Sequence, residues 1–368
     1  MIPLSSPASV LLAGGGTAGH VSPLLATADA LLRRHPALRV TALGTETGLE
    51  ARLVPAAGHE LRFVPRVPLP RRPGADLARL PFRLRAAVVA AGQALDATRA
   101  EVVVGFGGYV SAPAYLAARR RRLPVVVHEQ NATPGLANRL GARWTPWVAT
   151  TFTTTALPHA RHVGMPLRRQ ITTLDREALR GEALRAFGLE AGPPTVLVTG
   201  GSLGARRLNE AFAASVGQLS RAGIQVLHVT GLGKEFTPEG AAGGARYVVV
   251  PYVERMELAY AVADLVVARS GANTVCELAV VGLPAVYVPL PIGNGEQRRN
   301  AADVVAAGGA LLVDDASVVP AWVERELIPL AVDRSRVAAM AQAAREVGEP
   351  SADERLADLV DEAWRSRT

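Results

Sequence analysis

Cysteine, lysine and aromatic residues are scarce in this 368-residue chain, and each scarcity closes off a class of function. Cys276 is the only cysteine, which excludes an intramolecular disulfide framework and any cysteine-based zinc cluster and fits a reducing compartment. Aromatics make up 5%, too few for the stacking platforms of single-strand nucleic-acid binders, so no nucleic-acid partner is expected. Long apolar runs are missing too. Stretches such as 102–118 are interrupted by Gly105, Gly107, Gly108 and Pro113 and fall short of the ~20 apolar residues of a spanning helix. No Lys or Arg precedes the first apolar run, Val10–Ala13, so no signal peptide is expected and the chain is expected to stay in the cytoplasm.

Lys234 is the only lysine, so arginine carries the net charge of +7. Eleven arginines fall in residues 66–122 against Asp76, Asp96 and Glu101, a local net of +8 that leaves about −1 for the remainder. Such a patch implies an anionic partner there. With 49% hydrophobic and 20% charged residues the chain can build buried cores, and its length suits two domains.

Short β-rich runs alternate with helical segments, the pattern of parallel sheets covered by helices, so the expected fold class is α/β. Strands are expected at 10–13, 39–43, 61–64, 101–104 and 124–128, then at 195–199, 225–230, 247–250, 264–268, 285–289 and 310–313. Helices are expected near 22–34, 77–98, 111–120 and 135–141, then near 206–221, 255–263, 273–281, 296–307 and 320–347. The two halves open alike: Val10-Leu-Leu-Ala-Gly-Gly-Gly-Thr-Ala-Gly-His20 and Val196-Leu-Val-Thr-Gly-Gly-Ser-Leu-Gly-Ala-Arg206 each read as strand, glycine turn and helix start. Two Rossmann-like domains are therefore expected, 1–164 and 165–349, with a last helix in about 350–368 returning to the first.

A glycine turn between strand and helix leaves backbone N–H groups at the positive end of the helix dipole, a setting that suits phosphate. A lone turn of this kind is equally a simple chain reversal. Neither copy is the dinucleotide fingerprint, and Leu43-Gly44-Thr45-Glu46 offers the only arguable acidic partner for a nicotinamide ribose. Arg269-Ser-Gly-Ala-Asn-Thr-Val-Cys-Glu277 repeats the strand-then-helix arrangement, and Glu277, about a turn into the helix, could accept both hydroxyls of a ribose. In isolation it would read as a solvated helix carboxylate.

In order and spacing, Gly14–His20, Gly105–Pro113, His128–Gly135, Gly200–Arg206 and Arg269–Glu277 closely resemble the motifs of the MurG family of peptidoglycan glycosyltransferases, over almost the whole chain. The resemblance implies a GT-B fold, two Rossmann-like domains with a sugar nucleotide in the cleft. It further implies that Ser202 and Arg168 contact the diphosphate and nucleotide, the Val253 backbone pairs with uracil, and Glu277 holds the ribose. Ala272, Asn273, Thr274, Val275 and Cys276 would line the phosphates and sugar, with Gln297 and Asn131 on the N-acetylglucosamine. Thr17, Ala18, Gly19, His20 and Tyr109 would face the acceptor and the reacting centre. Ala18 stands where many family members have glycine, and Gly293-Asn-Gly-Glu-Gln297 departs from an Asp-His-Gln-type stretch.

The reaction so implied is an inverting transfer of N-acetylglucosamine from UDP-N-acetylglucosamine (UDP-GlcNAc) to the C4 hydroxyl of a polyprenyl-linked muramyl pentapeptide, lipid I. His20 is the candidate base because imidazole is neutral near pH 7; acceptor positioning alone is the other reading of His20, and Glu129 is the alternative base. No Asp-x-Asp triplet occurs, so departure of UDP is expected to rely on helix N-termini, Ser202 and Arg168, with no metal and no cofactor. A glycolipid synthase, a UDP-GlcNAc 2-epimerase, a nicotinamide oxidoreductase and a non-catalytic nucleotide-binding module are the competing readings. The lipid acceptor places the enzyme at the cytoplasmic face of the cell membrane, and the resemblance leaves open a cell-wall synthesis complex as a further partner. In the segment 69–85, Leu77, Leu80 and Leu84 recur at helical spacing beside Arg79 and Arg83, with Phe82 and Leu69 off the stripe; this reads as a basic element on an anionic membrane surface, or as a helix packed on its sheet.

Overall fold

The structure, a computed structural model, describes residues 7–67, 75–201, 204–240 and 243–367. It divides into two compact units, residues 1–168 with 351–368 and residues 169–350. Unit 1 holds β1 Ser9–Ala13, β2 Arg39–Gly44, β3 Glu60–Phe63, β4 Val102–Gly105, β5 Val125–Glu129, β6 Val148–Thr150 and β7 Ala160–His162. These strands form one parallel sheet in the order β3-β2-β1-β4-β5-β6-β7. Its helices are α1 Ala18–Arg34, α2 Glu50–Ala56, α3 Ala75–Thr98, α4 Gly108–Arg120 and α5 Leu136–Gly141.

Every residue of β1 is buried, as a central parallel strand covered on both faces requires. Val10 and Leu12 point into a core shared with Leu24 and Leu31 of α1, whereas Leu11 and Ala13 point into a second core with Leu95 of α3 and Ala114 of α4. The C-terminal helix Ala352–Arg365 completes the first core with Leu356 and Val360. Ion pairs from Arg33 to Asp353 and from Arg34 to Asp358, each at 2.6 Å, fix its register, and His35 Nε2 lies 3.0 Å from an Asp361 carboxylate oxygen.

Unit 2 contains β8 Thr195–Thr199, β9 Gln225–Val229, β10 Tyr247–Val250, β11 Leu265–Ala268, β12 Ala285–Tyr287 and β13 Ala310–Leu312. They are again all parallel, ordered β10-β9-β8-β11-β12-β13. In both sheets the strand order reverses beside the first strand, between β1 and β4 and between β8 and β11. Ligands of open α/β sheets bind at such switch points, outside the carboxyl ends of the strands. The turns after β1, β4, β8 and β11 are the glycine-bearing motifs of the sequence.

Each of the eleven expected strands is present within a residue or two. β6 and β7, three residues each, were not expected; β7 is an exposed Ala-Arg-His run without an apolar signal. Some expected helices are divided. Residues 206–221 form Arg206–Ala213 and Val216–Arg221, and 296–307 form Glu296–Asn300 and Ala302–Ala306. The stretch 320–347 breaks at Asp333, whose carboxylate caps Arg334–Val347 by accepting the Arg336 N–H at 3.0 Å. Asp175 is the N-cap of Arg176–Phe187, a helix the sequence pattern did not suggest, and accepts the Ala178 N–H at 3.0 Å.

Candidate active site

The turn Gly14–Thr17 carries the chain from β1 into α1. Thr17 is the N-cap in extended geometry, yet its hydroxyl bonds His20 Nδ1 at 2.9 Å rather than a backbone N–H. His20 is thereby held in the first turn of α1, half-buried. Burial lowers its pKa below 6.5; the nearby Glu50 carboxylate and a hydrogen bond to the Gly15 backbone work against that shift without reversing it. The ring is neutral at pH 7. Ala18 takes helical backbone, so the departure from glycine there introduces no left-handed strain; Gly19 follows it within the helix.

The turn does not present all its N–H groups to an anion, as a free glycine turn would. Glu50, at the start of α2, is fully buried and accepts from Gly16 N, Thr45 N and Thr45 Oγ1, each at 2.8 Å. Burial pushes its carboxyl upward, but these donors outweigh it and the net shift is downward, so Glu50 is an anion at neutral pH.

The second motif closes on the same point. Ser111 Oγ donates to the Ala13 carbonyl at 2.9 Å and accepts from Gly107 N at 2.9 Å, tying the end of β4 to the end of β1. Gly108 has φ +76° and lies so close that a Cβ there would stand 2.6 Å from the Gly15 carbonyl oxygen. Tyr109, 39% exposed, follows at the start of α4, with the Arg66 guanidinium 5.3 Å from its ring centre. Both line a hollow of about 60 Å³ beside Gly15, Gly16 and Thr45.

Glu129 ends β5 almost wholly buried. Its Oε1 accepts Asn131 N at 2.9 Å, and its Oε2 accepts Gly135 N and Asn138 Nδ2 at 2.9 Å each. Burial nevertheless raises its pKa. His128 is buried and pushed down to about 4, with a ring nitrogen 2.9 Å from the Gly164 carbonyl; it is a neutral packing group.

In unit 2, the helix Ala272–Val281 starts directly after β11 with Gly271 as N-cap and no side-chain cap, leaving its positive end open. Ala272 and Val275 are buried and Asn273, Thr274 and Cys276 partly so; burial pushes the Cys276 thiol far up, which rules it out as a nucleophile at neutral pH. Glu277 Oε2 accepts the Tyr260 hydroxyl at 2.6 Å, so it is a positioned carboxylate. Gln297 Oε1 accepts Leu290 N at 2.9 Å. Arg269, paired with Asp315 at 2.7 Å, donates to the carbonyls of Val288 and Pro289 at 3.0 and 3.2 Å, which joins the loops after β11 and β12. Val253 is buried in the turn before Met256–Val262. Arg168, half-buried, closes the first stretch of unit 1, which also contains Asn131. Ser202 lies outside the described residues. Among the described residues, no group of three or more His, Cys, Asp or Glu side chains could hold a metal ion.

Residues 10–150 match the glycosyltransferase family 28 N-terminal domain, and 195–356 its C-terminal domain. The chain belongs to glycosyltransferase family 28. Among its family 28 relatives, the UDP-N-acetylglucosamine–N-acetylmuramyl-(pentapeptide) pyrophosphoryl-undecaprenol N-acetylglucosamine transferase of Nocardioides sp. strain JS614 is 58% identical over 95% of this chain and 97% of that protein. The transferase of the same name from Leifsonia xyli is 57% identical, again over 95% and 97%. A crystal structure of Acinetobacter baumannii MurG superposes with a TM-score of 0.78 at 30% identity, covering 97% of this chain and all of that one. The protein is a glycosyltransferase with the GT-B fold.

Sequence reasoning missed Glu50, Asn138 and Asp315, the polar side chains that hold the family 28 motifs in place. Glu50 and Asn138 sit on short helices without a strong periodic signal, and Asp315 gains its partner only through the fold. Gly108→Ala should cut turnover by at least tenfold while the protein stays folded, because the added methyl must displace the turn that carries His20. Turnover at the parent rate would show that the two loops need not meet closely.

Proposed function

We propose that the protein transfers N-acetylglucosamine from UDP-GlcNAc to the C4 hydroxyl of N-acetylmuramic acid in undecaprenyl-diphosphate-linked muramyl pentapeptide, inverting the anomeric carbon. The single observation that carries this reading is a neutral, positioned histidine at the unit 1 switch point of a family 28 chain whose relatives are named for this transfer.

The acceptor hydroxyl loses its proton to His20 as its oxygen bonds to the anomeric carbon. The bond from that carbon to the diphosphate oxygen breaks on the opposite face, and UDP leaves with the electron pair. His20 suits the base role because its lowered pKa keeps it unprotonated. Glu129 suits it less, since its two oxygens already accept from Asn131, Gly135 and Asn138; it holds the loop 130–135, and with it Asn131, in shape. In this reading Thr17, Ala18, Gly19 and Tyr109 face the acceptor. In unit 2, the Val253 backbone binds uracil, Glu277 takes the ribose hydroxyls and Gln297 the sugar. The open N-terminus of Ala272–Val281 stabilises the departing diphosphate, a task the family resemblance also assigns to Ser202 and Arg168.

The protein works as a peripheral enzyme at the cytoplasmic membrane face. No helix among the described residues is long and apolar enough to cross a membrane, while Phe82 stands 77% exposed on α3, and Arg79 beside it is exposed. Leu84 packs toward the core; Leu69, Arg71 and Arg72, and the side chain of Leu77, lie outside the described residues.

His20→Ala should lower kcat by about 10²–10⁴-fold with donor KM little changed; a loss below tenfold would remove His20 as the base. Because the neutral form must be present and burial lowers the pKa, activity should fall only as pH drops through a midpoint below the ordinary 6.5, which a kcat/KM profile reads directly. Glu277→Ala should instead raise donor KM, by roughly 1.5–3 kcal/mol of lost binding; an unchanged KM would leave Glu277 a structural partner of Tyr260. Phe82→Ser with Arg79→Gln and Arg83→Gln should reduce sedimentation with anionic vesicles and leave donor affinity intact, and parent-like binding at every salt concentration would exclude this face of α3 as the membrane contact.

A further inference from the structure

Glu50 is sealed in by glycines. A Cβ on Gly15 would stand 2.4 Å from its Oε1, and one on Gly48 2.1 Å from its Oε2. The sequence has left out two side chains where this carboxylate lies. A fully buried anion costs several kcal/mol unless it is well solvated by donors, and here the three donors come from the His20-bearing turn and from Thr45. No expected role in donor or acceptor contact accounts for it.

We propose that Glu50 is the positioning residue of the acceptor-side base: it clamps the Gly14–Thr17 turn through Gly16 N–H and supplies the buried negative charge that stabilises the imidazolium formed at His20 during transfer. This rests on His20 being the base. Among the described residues, three charged groups stand near the His20 turn. Glu50 acts from α2, Arg66 lines the hollow beside the turn from beyond β3, and Glu129 ends β5 bonded to Asn138, whose amide lies by Gly107 next to His20 Nε2. Of the carboxylates, Glu50 is the one bonded to the turn itself and the one whose field opposes the effect of burial on His20. The arrangement has the logic of a base oriented by a third group, with the backbone turn in place of a direct bond. It also means that Gly16 N–H serves this internal anion and not a phosphate of the substrate.

The test is Glu50→Gln, which keeps the shape and removes the charge. The His20 ring titration, followed by NMR in the purified protein without substrate, should move to lower pH by about half a unit or more. The acidic limb of the kcat profile should move with it, plateau kcat should fall about tenfold, and donor KM should stay put. In a His20→Ala background the same change should cost less than threefold further, because its route of action is gone. A folded Glu50→Gln protein with an unmoved His20 midpoint, or a full additional loss in the His20→Ala background, would overturn the proposal while leaving the base assignment intact; a small effect of His20→Ala alone would overturn the base assignment itself. Should Glu50→Gln fail to fold, Thr45→Val, which removes one donor to Oε1, should lower kcat severalfold at unchanged donor KM, and parent-like kcat would count against the clamp.

Discussion

Glu50 accepts the Gly16 N–H at 2.8 Å with no exposure to solvent, and the site end of unit 1 is shaped by that bond. It requires glycine at positions 15 and 48, brings α2 against the end of β2, and fixes the turn from which His20 projects. The Ser111 bridge then draws the end of β4 to the end of β1, so both loops at the switch point are set by hydrogen bonds to main-chain atoms. In the proposed reaction, rigid placement of His20 is where the site would gain rate, since a hydroxyl nucleophile needs its proton removed along a narrow approach.

Unit 2 solves a different problem with related parts. Its switch point offers the uncapped N-terminus of Ala272–Val281, a partly buried carboxylate set by Tyr260, and loops after β11 and β12 tied together through Arg269 and Asp315. In the proposed reaction this is a donor site: the helix end meets phosphate charge, and Glu277 meets the ribose. In the proposed reaction, two sheets with the same strand order would thus serve proton removal in one unit and stabilisation of a leaving group in the other.

Much of the fold was legible because it is written in buried parallel strands. Val10–Ala13, Val102–Val104 and Val196–Thr199 are apolar runs ended by glycine, and glycine at a strand end is a strong local signal. β6 and β7 are too short to give one, and the helix Arg176–Phe187 was hidden in an Arg- and Glu-rich stretch whose cap, Asp175, reads as ordinary surface charge. The candidate site could be read from the sequence where it is contiguous, as in Gly14–His20 and Arg269–Glu277. Its supports were not. Glu50 lies 34 residues from Gly16, and Asp315 meets Arg269 through tertiary structure alone, so no local pattern could have announced either. Glu129 reads as an available carboxylate in the sequence, and only its hydrogen bonds from Asn131, Gly135 and Asn138 show what it is occupied with.

The account stands or falls on a turnover assay of the purified protein with radiolabelled UDP-GlcNAc and an undecaprenyl-diphosphate-linked muramyl pentapeptide. It predicts transfer of label to the lipid fraction with stoichiometric release of UDP and a β-1,4-linked product. Conversion of UDP-GlcNAc to its 2-epimer without an acceptor, or transfer of label only to diacylglycerol, would contradict it.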